Sequence, residues 1–212
     1  MQLVLAWVAT GVVAVVDWWA VASGRRGVER WAKPAVMVAL GSVALALGAA
    51  DTATGRWVLA ALALGLVGDV ALLGDSEARF LAGLGAFLVG HLAWVAAFVA
   101  AGLESPVLGL VGCLVVVVAL VLGRAIVPGA HRDGGVALAA PVVVYMGVIA
   151  AMAVTGWATG RLLVGLGAGL FVVSDTVLGL GRFERERRHT GLVVMVTYHG
   201  GQMLLVAGLL GA

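Results

Sequence analysis

The chain has 212 residues, 63% of them hydrophobic and 11% charged, with a formal net charge of +2. A soluble domain averages about 45–50% apolar and ~25% charged residues, so this composition excludes a water-soluble globule and implies a polytopic membrane protein. The small net charge, with basic residues gathered between apolar stretches, argues against nucleic-acid binding, and the single Cys113 excludes an internal disulfide.

Eight apolar segments follow one another, at about 2–22, 34–50, 56–74, 79–101, 105–122, 136–154, 160–181 and 190–211. Each approaches the ~20 residues that a helix needs to cross a bilayer. The predicted fold is therefore an all-α membrane protein with eight transmembrane helices, a single domain over residues 1–212. The first segment opens with "MQLVLAW" and lacks the positive n-region of a secretory signal, so it is expected to stay as the first span. Connections 1–2, 3–4, 5–6 and 7–8 hold 11 of the 13 Lys and Arg residues. The positive-inside rule places those connections in the cytoplasm and both termini outside, as expected for a bacterial cytoplasmic membrane. Trp18, Trp19 and Trp31 then fall near the inner interface, and Trp57 and Trp157 near the outer one.

Polar residues interrupt the spans at few places: Asp17 in the first, Lys33–Pro34 at the mouth of the second, Asp69 in the third, His91 in the fourth, and Pro141 and Tyr145 in the sixth. Ser174 and Asp175 lie in the seventh, with Thr197, Tyr198, His199 and Gln202 in the eighth. With the orientation above, nearly all share one layer between the midplane and the cytoplasmic side. An acid at a helix centre costs roughly 2.5–3.5 kcal/mol on insertion scales, so a convergent polar layer points to a cavity entered from the cytoplasmic leaflet. Asp69 and Asp175 are its expected centre. Tyr198 and Gln202 are i, i+4 neighbours and share a helix face, whereas His199 is turned away by about 100°. The Tyr198/Gln202 face is expected to line the site. Asp17, beside two tryptophans, reads as structural or as a partner for Lys33.

His91, His199, Asp69 and Asp175 are residue types that zinc accepts, but no HExxH or paired-histidine spacing occurs, and neither metal nor other cofactor is predicted. "GLGAG" (165–169) suits close helix packing and has no strand–turn–helix context for a nucleotide loop. "GRFERERRH" (181–189) reads as a solvated connection suited to anionic headgroups. Asp69 and Asp175 are 106 residues apart, Pro34 and Pro141 107, His91 and His199 108, and Trp57 and Trp157 100. These spacings suggest two parallel four-helix repeats with a site between them.

Five short motifs occur in order: "KPAVM" (33–37), "GDVALL" (68–73), "FLVGHLAW" (87–94), "LFVVSDTVLG" (170–179) and "TYHGGQMLL" (197–205). Together they resemble the YhhN family, the lysoplasmalogenase-like membrane proteins. The resemblance implies a hydrolase that cleaves the vinyl ether bond of lysoplasmalogens to a fatty aldehyde and a glycerophospho-headgroup, with a lysophospholipid as its partner. It carries Asp69 and Asp175 over as the catalytic pair. Two departures stand out: Trp94 where the family more often has Tyr, and Tyr198–His199 where it more often reads Tyr-Tyr. Both bear on the headgroup or chain pocket more than on the acids.

The residues suit that chemistry on their own terms. Vinyl ether hydrolysis begins with protonation of an alkene carbon and passes through an oxocarbenium ion that water then captures. It needs one acid that holds a proton and one anion or base, a division of labour that two carboxyls in a low-dielectric site can supply. Which of the two donates is open from sequence. Lys33, His91, Tyr145, Ser174, Tyr198, His199 and Gln202 are the candidates for substrate binding or support. A proton-coupled transporter or binder of a small amphiphile is the competing expectation, because it would use the same buried acids.

Overall fold

The structure, a computed structural model, describes residues 1–74 and 76–211. Its regular elements among these residues are eight α-helices: α1 (Gln2–Ala22), α2 (Arg26–Ala46), α3 (Ala53–Leu72), α4 (Glu77–Ala101), α5 (Gly109–Leu122), α6 (Ile126–Ala158), α7 (Leu162–Phe183) and α8 (Thr190–Leu210), with single 3-10 turns at Ala49–Asp51 and Pro106–Leu108. Six of them, α1, α3, α4, α6, α7 and α8, are long and apolar enough to cross a membrane. The chain is an integral membrane protein.

The two helices outside that group depart from the expected eight spans for different reasons. The sequence predicts a second span at 34–50, but α2 begins at Arg26 and ends at Ala46, with Pro34 inside it. Its first two turns carry Arg26, Glu29, Arg30 and Lys33 and so dilute its apolar character. Pro34 follows those two turns and lacks a backbone donor, so it removes one hydrogen bond and disturbs the turn before it. The fifth apolar stretch, Pro106–Leu122, is helical but shorter than a full span. The sixth element is longer than expected, because helical geometry resumes on both sides of a break at Gly134 and Gly135. Gly135 has φ 58° and ψ −151°, a conformation essentially reserved for glycine. Residues 126–133 thus form a short arm at an angle to the main shaft. The arm is pinned to the end of α7, where Arg132 Nη2 donates to the Phe183 carbonyl at 3.2 Å. A Cβ on Gly129 would collide with that same oxygen.

Most helices adjacent in sequence pack against each other, with α3 against α4 and α7 against α8 the most extensive pairs, whereas α4 packs on α6 rather than on α5, and α1 also rests on α8. Where α7 crosses α8, a Cβ on Gly167 or on Gly201 would lie 3.0 Å from the other residue's carbonyl oxygen, so only glycines permit this approach. The side chains of Thr52 and Ser76 accept the backbone N–H of Gly55 and Arg79, capping α3 and α4 at a contribution of about 1 kcal/mol each. The buried interior is built on Leu40, Val58, Trp94, Phe98, Met152 and Leu205. The outer faces of α1 and α5 expose Val4, Val8, Val12, Leu114, Val118 and Val121, the apolar surface that contact with lipid requires.

Candidate functional site

Asp69, on α3, is fully buried. Lys33 of α2 brings its Nζ to 3.6 Å from Asp69 Oδ1. Tyr198 of α8 donates its hydroxyl to Asp69 Oδ2 at 3.0 Å. Gly65, one turn earlier on α3, makes room for this contact: a Cβ there would lie 2.9 Å from Tyr198 Oη and 3.1 Å from Gln202 Nε2. Tyr198 and Gln202 therefore occupy one face of α8, as i, i+4 spacing dictates.

Asp175, on α7, accepts a hydrogen bond from the Tyr145 hydroxyl of α6. His91 of α4 places Nε2 3.7 Å from Asp175 Oδ2. The other ring nitrogen, Nδ1, lies 2.6 Å from the Phe87 carbonyl. A carbonyl only accepts, so Nδ1 carries the hydrogen, and Nε2, which has no hydrogen-bond partner among the described residues, faces Asp175. The ring is wedged edge-on between Tyr145 and Phe171, with centroids 5.4 and 5.2 Å away.

The two acids have corresponding surroundings. Asp69 on α3 meets α2 and α8; Asp175 on α7 meets α6 and α4. A tyrosine hydroxyl reaches each acid; what differs is the remaining partner, a lysine at Asp69 and an imidazole at Asp175.

Both acids line one polar cavity of about 690 Å³, together with Lys33, Ser174 and Tyr198. It opens at the end of the bundle that carries the α1–α2, α3–α4 and α7–α8 connections, where most of the basic residues lie. A narrow apolar cleft of about 80 Å³ runs among α4, α5, α6 and α7 over Leu84, Val116, Val142 and Ile149. Cavity and cleft share Asp175, together with Leu72, Phe80, Phe87, Leu178 and Arg182. Asp175 thus stands where a polar chamber meets a slot of hydrocarbon.

The remaining sequence candidates fall around this centre or away from it. Tyr145 lines the cleft. His91 and Gln202 are buried behind the two acids. Ser174 turns its Oγ to the Val194 carbonyl at 3.1 Å and ties α7 to α8. His199 is turned off the site: Trp18 donates its indole N–H to His199 Nδ1 at 3.1 Å, and Asp17 Oδ2 lies 3.9 Å from the same nitrogen. Trp18 thereby spends its indole N–H on a partner inside the bundle. Arg182, which reads in the sequence as part of a solvated run, lines both spaces. Its signal is its spacing, seven residues or two turns beyond Asp175 on the same face. No group of three or more His, Cys, Asp or Glu residues that could hold a metal ion occurs among the described residues.

The pattern described as the YhhN family matches residues 28–209. The chain belongs to the YhhN family. It is 29% identical over 183 residues to proteins named lysoplasmalogenase from Mycobacterium bovis and Mycobacterium tuberculosis, covering 84% of this chain and 67% of each relative. It is 34% identical over 151 residues to human lysoplasmalogenase TMEM86B, covering 68% of this chain and 59% of that protein. The chain thus spans about two thirds of the mycobacterial relatives and less of the human one. No solved structure matches it significantly.

Proposed function

We propose that this protein is a membrane hydrolase that cleaves the vinyl ether bond of lysoplasmalogens, with Asp175 as general acid and Asp69 as the partner carboxylate. The observation that carries the reading is the meeting of the polar cavity and the apolar cleft at Asp175. In a lysoplasmalogen the vinyl ether joins a zwitterionic glycerophospho-headgroup to a hydrocarbon tail. A headgroup in the cavity and a tail in the cleft put that bond beside Asp175. The names of the relatives point to the same substrate.

The roles follow from the neighbours. Lys33 compensates a negative charge on Asp69. Asp175 has no lysine or arginine within ion-pair distance among the described residues, and a His91 ring that is neutral and protonated at Nδ1 would turn an acceptor nitrogen toward it, an arrangement that suits a carboxyl holding its proton. Asp175 delivers that proton to the alkene carbon one bond removed from the ether-bearing carbon, giving an oxocarbenium ion. The Asp69 carboxylate stabilises the cation and takes a proton from the water that adds to it. The resulting hemiacetal collapses: Asp69 returns its proton to the departing glycerol oxygen, and the Asp175 carboxylate takes the hemiacetal hydroxyl proton as the C=O forms. Both acids end as they began, and the net change is one water consumed, one aldehyde and one glycerophospho-alcohol released. Tyr145 orients Asp175, and Tyr198, seated by Gly65 and Gln202, orients Asp69.

The matching surroundings of the two acids support two four-helix halves packed side by side. In this reading all eight helices form one domain and cross the bilayer, the basic connections face the cytoplasm, and substrate enters from that leaflet. The test is aldehyde release by purified protein in detergent with no ion gradient. Release from a lysoplasmalogen, abolished by Asp175→Asn and by Asp69→Asn in protein that remains folded, is the expected result. Absence of release, with proton-driven uptake of the lipid into vesicles, would replace the enzyme with a transporter.

A further inference from the structure

The basic end of the bundle has an acidic doorway. Of the chain's five glutamates, three line the polar cavity: Glu29, one turn before Lys33 on α2, Glu77 in the first turn of α4, and Glu186 between α7 and α8. None has a role in the proposed chemistry. Deeper in the same cavity, two buried polar groups keep bonding capacity unspent. Lys33 is 5% exposed, and its 3.6 Å contact with Asp69 is an ion pair longer than a hydrogen bond. Asp69 Oδ1, fully buried, has no hydrogen-bond donor among the described residues. Among the described residues, Lys33 and Arg182 are the two lysine or arginine side chains on the cavity wall. The wall therefore runs from a carboxylate-rich mouth to a buried ammonium, an order that complements a ligand with an outer cation and an inner phosphate.

We infer that the glutamates Glu29, Glu77 and Glu186 form a headgroup subsite for a primary ammonium, with Lys33 and Arg182 receiving the phosphate, so that the protein prefers ethanolamine over choline headgroups. This rests on the lysophospholipid reading above. A primary ammonium carries three N–H donors that three carboxylates satisfy. A trimethylammonium has no donor and is recognised by the faces of an aromatic cage. The cavity supplies no such cage at its mouth among the described residues. Arg182 already sits over the Phe80 ring at 5.1 Å, and Phe87 and Tyr198 lie deep beside Asp69, edge-on to one another. A charge-assisted hydrogen bond that one headgroup makes and the other lacks corresponds to about a tenfold preference or more.

The experiment compares kcat/KM for aldehyde release from lysoplasmenylethanolamine and lysoplasmenylcholine of identical chain, in wild type and in the triple variant Glu29→Gln/Glu77→Gln/Glu186→Gln. The expected ethanolamine-to-choline ratio is about ten or more in wild type and near unity in the variant. A wild-type ratio near unity, or a high ratio unchanged by the triple substitution, overturns the inference while leaving the enzyme reading intact. If neither lipid yields aldehyde, the enzyme reading fails, and thermal stabilisation by the non-cleavable lysophosphatidylethanolamine and lysophosphatidylcholine decides the subsite. Stronger stabilisation by the ethanolamine lipid that disappears in the triple variant upholds it, and equal stabilisation overturns it.

Discussion

Lys33 and Asp69 form an ion pair whose side chains are only 6% and 1% exposed. Lys33→Met keeps a flexible apolar chain of similar length but leaves the Asp69 carboxylate with the Tyr198 hydroxyl and no cation. Removing one partner of a buried pair costs about 3–5 kcal/mol, mostly the burden of the stranded charge. For a chain of this size, roughly 2–4 °C of Tm accompany each kcal/mol, so the single variant should unfold roughly 6–20 °C below wild type. Adding Asp69→Asn removes the stranded charge while keeping an acceptor for Tyr198. The double variant should therefore regain stability over Lys33→Met, with a coupling energy of up to about 3 kcal/mol. Thermal unfolding of purified protein in detergent, followed by tryptophan fluorescence, reads all four corners of the cycle. A Lys33→Met protein within about 2 °C of wild type, or a double variant no more stable than that single one, would show that the pair is not the buried charge couple described above.

Further outcomes follow from the same geometry. Tyr145→Phe removes the hydroxyl that orients Asp175; steady-state kinetics should show kcat lowered about 10–100-fold with KM nearly constant, and a loss under about threefold would remove Tyr145 from the site. His91→Leu and His199→Leu should separate: the first lowers kcat/KM at least about tenfold, whereas the second lowers Tm by stranding the Trp18 indole and Asp17 and spares turnover. The reverse pattern would mean that the wrong histidine has been placed beside Asp175. Gly65→Ala introduces a Cβ 2.9 Å from Tyr198 Oη and should reduce both stability, by about 1–3 kcal/mol, and turnover, whereas Gly169→Ala, with no atom within 4 Å of its Cβ, should be silent in the same assays.

Hydrophobic runs located the helices well, because a run of apolar residues long enough to span lipid has few other uses. The errors lie where polar residues continue a helix into water. Arg26–Lys33 extends α2 backward through residues that read as a loop, since backbone at the bundle end satisfies its hydrogen bonds whatever its side chains. Residues 126–133 read as connection, because a short arm has no membrane-spanning signature and the Gly134–Gly135 break hides its continuity with α6. The acids, the lysine and the Tyr198/Gln202 face were legible because a polar side chain amid hydrocarbon is conspicuous and helical spacing fixes which neighbours share its side. Partnerships were not. Nothing in the chain order tells that His91 faces Asp175 while His199 is held by Trp18, because that depends on which helices touch. Arg182 and the three glutamates were missed for the opposite reason: at a water-facing end, charged residues are ordinary until the fold gathers them on one wall.

The roles given to Asp175 and Asp69 rest on one step, protonation of the substrate's alkene carbon by a carboxylic acid. Hydrolysis in D₂O, with the aldehyde reduced at once to its alcohol to prevent exchange, reports that step by mass spectrometry. A single deuterium on the carbon next to the former carbonyl is the expected result. An alcohol without that deuterium would mean that the ether bond breaks with no carbon protonation, and both assignments would be wrong.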